Sequence, residues 1–280
     1  MTEKRPAAIR VRLAGVLRAA LALLLCGRLV QAADMQTVQS LAKKIRTIKD
    51  AGLVINLSAP SKEVLAASVV LTEMKHALRD WVGSRLVEAE PGVLAARLSS
   101  ELRNAGLSAN YSSQARDQGL IIPECSELGC TLGQIGEVRI SNPGPGLLLV
   151  RTIVGSWRAF DEPLYLYEHH GSQWVLHVEE DGDSPLIEAQ VSERDARRRR
   201  LFLVIAHAPV WMNSIHVSYR LYRMGPNGSK AVILLDKLEG GYDRAHARLT
   251  NDDLWLEFRW SDRVMSDHYR IGEVGARKIQ

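Results

Sequence analysis

One pattern recurs along the second half of the chain and limits the folds open to it. The stretch Leu147–Val178 runs an apolar strand (Leu147–Val154), a tryptophan, a gap, an aromatic strand carrying Tyr165 and Tyr167, a tight turn and a further strand. A similar run, LFLVIAHAPVW (Leu201–Trp211) followed by SYRLYRMGPNGSKAVILL (Ser218–Leu235), starts 54 residues later. In both copies a tyrosine, Tyr165 or Tyr219, follows the first leucine by 18 positions. A third, weaker copy starts 53 residues on with LWLEFRWSD (Leu254–Asp262) and HYRI (His268–Ile271), and its tyrosine offset shrinks to 15. Self-similarity at such a period marks stacked supersecondary units, none able to bury its apolar face alone. The three copies are therefore expected to share one scaffold.

Short strands from Leu147 onward, separated by HHGSQ (169–173), EEDGDSP (179–185), MGPNGS (224–229), EGGYD (239–243) and TNDD (250–253), predict an antiparallel all-β region. A propeller-blade-like meander fits the period, but a closed propeller ordinarily needs at least four blades. A β-sandwich and an open curved sheet are the alternatives. Residues 33–106 read as helical: Val38, Leu41, Ile45 and Ile48 form one apolar stripe, and Val64, Ala67, Leu71, Met74, Leu78 and Trp81 a second, with Ser61 as its cap. Leu94, Leu98 and Leu102 make a third stripe, entered by Pro91 and stopped by Gly106. The expected fold is α+β: a helical segment, a linker over 107–118, and a β-domain over 119–280 with repeats starting near 147, 201 and 254.

The first 32 residues resemble an export signal: early basic residues, the apolar segment AALALLLC (19–26) and a small-residue exit at Ala32. Cleavage after Ala32 is expected, giving a periplasmic or secreted chain without a membrane span. A lipoprotein anchored at Cys26 is the rival, weakened by Leu25 where a small residue normally stands. The leader holds 6 of the 36 basic and 1 of the 32 acidic side chains, leaving 30 against 31. The basic pI thus leaves with the leader, and no nucleic-acid partner is implied. Cys125 and Cys130 remain, and in an oxidising compartment their C-x4-C spacing predicts a local disulfide contributing about 2 kcal/mol.

Motifs for chemistry are sparse. No G-x-S-x-G, P-loop, H-E-x-x-H or H-x-H is present. His169, His170 and His207, with Asp181 and Asp183, are the candidate metal ligands, and Asp161 a candidate partner for a histidine. Asp181 and Asp183 alternate as calcium ligands do, but the turn lacks the rest of an EF-hand loop and Pro185 breaks its register. The run Ala196–Arg200 reads as an exposed basic loop or a processing site. The recurring aromatics could stack on sugar rings if they shared an exposed face; cross-strand packing accounts for them more simply.

The segments LVRTIVGSW…DEPLYLYEHHGSQWVLHVEED and LFLVIAHAPVWMNSIHVSYRLYRM resemble parts of uncharacterised exported bacterial proteins in which helices precede a β-rich region. That resemblance implies the fold and no activity. Such relatives often carry cysteines in the loops that here read GSWRAFDEP and PVWMNSIH; this chain has none there, so no bracing of those loops carries over. The expected function is an exported binding or structural protein of the bacterial envelope, without cofactor, meeting an unidentified protein or glycan and open to oligomer formation. Its expected contact residues are Trp157, Phe160, Trp211 and Met212, on loops 155–163 and 208–215. A metal-dependent hydrolase using the β-domain histidines and carboxylates is the competing reading.

Overall fold

The computed structural model describes residues 35–50, 62–87, 89–108, 133–136, 138–156, 159–182, 186–197, 199–209, 215–225, 231–242 and 244–280. Three helices lead: α1 (Met35–Asp50), α2 (Lys62–Arg85) and α3 (Pro91–Asn104). Antiparallel strands follow in three four-stranded sheets. The first holds β1 (Arg139–Ser141), β2 (Leu147–Arg151), β5 (Leu164–His170) and β6 (Gln173–Glu180), in that order. A short hairpin, β3 (Val154–Ser156) and β4 (Ala159–Asp161), is inserted between β2 and β5. The second sheet is the meander β7 (Leu186–Val191), β8 (Arg200–Pro209), β9 (Ile215–Met224) and β10 (Val232–Gly240). The third is the meander β11 (Arg244–Leu249), β12 (Asp253–Trp260), β13 (Arg263–Ile271) and β14 (Ala276–Lys278).

Helices and sheets form successive layers, and strand composition follows layer position. Leu148 and Val150 pack with the helices, whereas Leu147 and Leu149 pack on Phe202 and Val204 of the second sheet. Leu201, Leu203 and Ile205, on the other face of β8, meet Leu254, Leu256 and Phe258. A strand buried on both faces reads as a continuous apolar run, which explains LLLV and LFLVI. β12 is the outer layer and alternates buried and partly exposed residues along LWLEF. Two edges are also joined by side chains: Gln190 on β7 donates to the Ala247 carbonyl at 2.7 Å and accepts from Leu249 N, while Glu188 accepts from Ala247 N at 3.1 Å. These bonds occupy backbone groups on the free side of β11.

Tyr165, Tyr219 and Tyr269 each lie on the third strand of their sheet, opposite Val150, Ile205 and Leu254. Counted from those partners the offsets are 15, 14 and 15 residues. The shorter offset of the third copy therefore arises from matching Leu254 to the start of β2 and β8. Facing differs, however. Tyr165 meets the helices, Tyr219 the third sheet, and Tyr269 the second. A one-residue change of phase sends a strand's side chains to the opposite face.

Most of each expected helix stripe is buried; Leu41 and Ile48 are half-buried beside Ala42, and the Val64 side chain lies outside the described residues. Val38, Ala42 and Ile45 of α1, Leu71, Met74, Leu78 and Trp81 of α2, and Leu94, Leu98 and Leu102 of α3 are buried. Helix α3 ends in a Schellman turn: Leu107 N donates to the Leu102 carbonyl at 3.0 Å and Gly106 N to that of Arg103 at 2.9 Å. The turn needs the left-handed backbone that Gly106 supplies at φ 69°. Ser61, residues 109–132 with most of the proposed linker, and the cysteine pair Cys125 and Cys130 lie outside the described residues.

Tyrosine hydroxyls tie α2 to the first sheet. Tyr165 donates to the Lys75 carbonyl and Tyr167 to that of Arg79, both at 2.9 Å. Two residues along a strand advance about 6.8 Å and four along a helix about 6 Å, so the two spacings match. One turn further, a Cβ on Gly83 would come within 3.3 Å of the Tyr167 ring, so the small residue lets the helix approach. Beside this seam Lys75 and Asp161 form a buried ion pair at 2.6 Å.

Candidate functional site

The seam between the first and second sheets holds polar groups at both ends. Glu168 and His170 are two apart on β5 and share the face of Leu164 and Leu166, toward the second sheet. His177 approaches from β6. Leu166 pairs with Val178 and Tyr167 with Leu176, which leaves His177 as the extra residue of a β-bulge. Bulges re-aim side chains and are common beside functional sites.

His177 Nε2 lies 3.0 Å and His170 Nε2 3.2 Å from Glu168 Oε2, and the two nitrogens are 3.4 Å apart. Arg194, between β7 and β8, is bonded to the other carboxylate oxygen, Oε1. The His177 and Glu168 side chains are 0% and 2% exposed, whereas His170 at 27% and Arg194 at 39% face the opening. Two imidazoles and one carboxylate could hold a transition metal with positions to spare.

At the other end lies a cleft of about 850 Å³. Its wall carries Glu162, Glu179, Glu180, Asp181 and Asp236 against Arg220 and Lys237, with His76 from α2 also present. The formal charge of these groups is negative by three with His76 neutral. Glu162 accepts from Arg151 and from Leu186 N, and Arg79 holds Glu179. Burial raises the Glu180 carboxyl above its ordinary 4.5, opposed by the Tyr222 hydroxyl and by Arg220. Gly182 closes one wall: Glu162 N donates to its carbonyl at 2.5 Å, and at φ 62° a Cβ there would fall on the Glu162 carbonyl.

The structure sorts the expected site residues. Of the candidate ligands, His170 joins a cluster, and its companions Glu168 and His177 were not in the expected set. His169 points to the opposite face of β5, its ring centroid 4.8 Å from that of Trp174. His207 lies on β8 opposite Val217 and, among the described residues, joins neither cluster. Asp181 comes together with His76 and Glu179 at the cleft. Asp161 is engaged by Lys75.

Asp183, Trp157, Trp211 and Met212 lie outside the described residues, and for Phe160 on β4 only the backbone is described. The aromatics that are described face different layers: Tyr165 and Tyr167 the helices, Tyr219 the third sheet and Tyr222 the first. Trp255 stacks on His268 at 4.3 Å in a smaller hollow on the third sheet. In the basic run, Arg197 and Arg199 pair with Glu273 and Asp195, and Arg200 donates to the Pro145 carbonyl at 3.0 Å.

A signal for the missed cluster was present. The two-residue turn Gly171–Ser172 sets His170 opposite Gln173 and Glu168 opposite Val175. Diagonal neighbours on one face of a hairpin lie within reach of long side chains. Ligand spacing along a single segment does not find such a cross-strand set. Among the described residues no helix is long and apolar enough to cross a membrane. Comparison with family models, curated proteins and solved structures gives no match.

Proposed function

We propose that the protein is an exported binding protein of the bacterial envelope and that its partner enters the acidic cleft between the first and second sheets. The cleft's size and charge carry this reading: about 850 Å³, with five carboxylates against two basic side chains in its wall, an excess that remains negative when Arg79 and Arg151, paired with Glu179 and Glu162, are counted. Its rim includes residues in or next to the loops expected to present a binding face. Glu162, within loop 155–163, lines the cleft, as do Ala206 and Ser218 on either side of loop 208–215. The scaffold is read as three propeller-blade-like repeats, fanned apart. Supporting that reading, β7 and β11 are bonded edge to edge through Glu188 and Gln190, whereas the cleft separates β6 from β10.

A negative cleft favours a basic protein segment over a neutral glycan. Calorimetric titration of the mature protein with lysine-rich, acidic and neutral peptides tests this. The expected result is saturable, salt-sensitive binding of the lysine-rich peptide, weakened about two- to five-fold by Asp181→Asn and tightened similarly by Lys237→Glu. Absence of binding, or indifference to both substitutions, would overturn the reading. Recovery of the chain from periplasmic extract with Ala33 at its N-terminus tests export; an intact Met1 would refute it.

A further inference from the structure

We infer that Glu168, His170 and His177 form a binding site for one first-row divalent transition metal ion. This site is separate from the acidic cleft and does not depend on the function proposed for it. Metal bonds of about 2.0–2.2 Å to nitrogen and oxygen set ligand atoms roughly 3.3–3.6 Å apart in a tetrahedron and about 2.8–3.1 Å apart across adjacent octahedral positions. The three separations here, 3.0, 3.2 and 3.4 Å, span those values. The ligand atoms form one triangular face, so the remaining coordination positions lie on one side.

Surrounding contacts are those a metal centre uses to fix its ligands. Arg194 occupies the far oxygen of Glu168, which turns Oε2 toward the histidines. Glu168 and His177 are almost fully enclosed; regular pairing would set His177 opposite Leu166, and the bulge gives that place to Val178 and leaves His177 outside the ladder. Ligand type selects the metal. Two imidazoles with one carboxylate suit zinc, iron, cobalt, nickel or copper. Magnesium and calcium prefer all-oxygen shells, and the positive charge of Arg194 opposes ions held by charge alone.

Titration of chelator-treated mature protein with cobalt(II) reads the site directly, because nitrogen and oxygen ligation gives visible absorption bands. One cobalt per chain is expected in the unmodified protein, lost in His170→Ala and kept in His169→Ala, whose side chain faces the other way. A second measurement needs no variant: zinc addition should shift the imidazole nitrogen resonances of His170 and His177 and leave those of His169 in place. If two imidazole N–H groups merely donate to Glu168, cobalt uptake is not saturable or survives His170→Ala, and the histidine resonances do not move. Either result would overturn the inference.

Discussion

The two faces of the first sheet are built differently. Toward the helices lies a large apolar seam, where Tyr165 and Tyr167 end on helix carbonyls and the charged groups alongside, Lys75 and Asp161, are paired. Toward the second sheet the apolar patch is smaller, and both ends are given over to ionisable groups: Glu168 with two histidines at one, and five carboxylates around a cleft at the other. The same strand, β5, serves both faces by alternation. The contrast separates two uses of polar side chains: on the helix side they are closed off within the seam, and on the sheet side buried carboxylates are joined by partners that reach the surface, His170 and Arg194 at one end and Asp181 at the other.

Three substitutions sharpen this contrast. The largest effect is expected from Lys75→Met, which removes the ammonium from the buried Asp161 carboxylate. Breaking one partner of such a pair costs about 3–5 kcal/mol, read as a fall in unfolding free energy in denaturant titration. A neutral outcome would show that the helix seam stands on apolar packing alone. Tyr165→Phe is expected to cost about 1 kcal/mol, the net worth of one buried hydrogen bond. A loss several times larger would mean that the hydroxyl positions the whole helix.

The smallest effect concerns Glu180 in the cleft. Its carboxyl is raised in the folded protein, mainly by burial, so the folded state holds that proton more tightly than the unfolded chain. Its contribution to stability is therefore present in acid and declines as pH rises from the ordinary 4.5 through the raised folded value. Glu180→Gln removes that decline, and the variant's stability should vary less with pH over this window than that of the unmodified chain. Matching pH profiles would place the proton elsewhere.

Much of the fold can be read in the residues, and the reasons are local. Three apolar stripes at helical spacing, with Pro91 and Gly106 at the ends of the last, outline the helices. Solid apolar runs in β2 and β8 against alternation in β12 even distinguish inner from outer layers. Facing was less accessible: Tyr165 and Tyr219 share a strand position and face opposite ways with respect to the layer order, because phase depends on register. The cluster around Glu168 is legible only across strands. The turn at Gly171–Ser172 sets Glu168 diagonal to His177 on one face of the hairpin, which spacing within a single strand does not show. The adjacency of His169 and His170 misleads, since neighbours on a strand face apart.

The edge bonds from Glu188 and Gln190 to β11 also bear on how the chain is made. The second sheet leaves the ribosome before the third, and until Leu254, Leu256 and Phe258 arrive, Leu201, Leu203 and Ile205 have nothing to cover them. During synthesis the growing polypeptide thus passes through a sticky interval that ends only when its last forty or so residues have emerged. A chain cut short after Gly240 would remain in that interval, a target for holding chaperones and proteases.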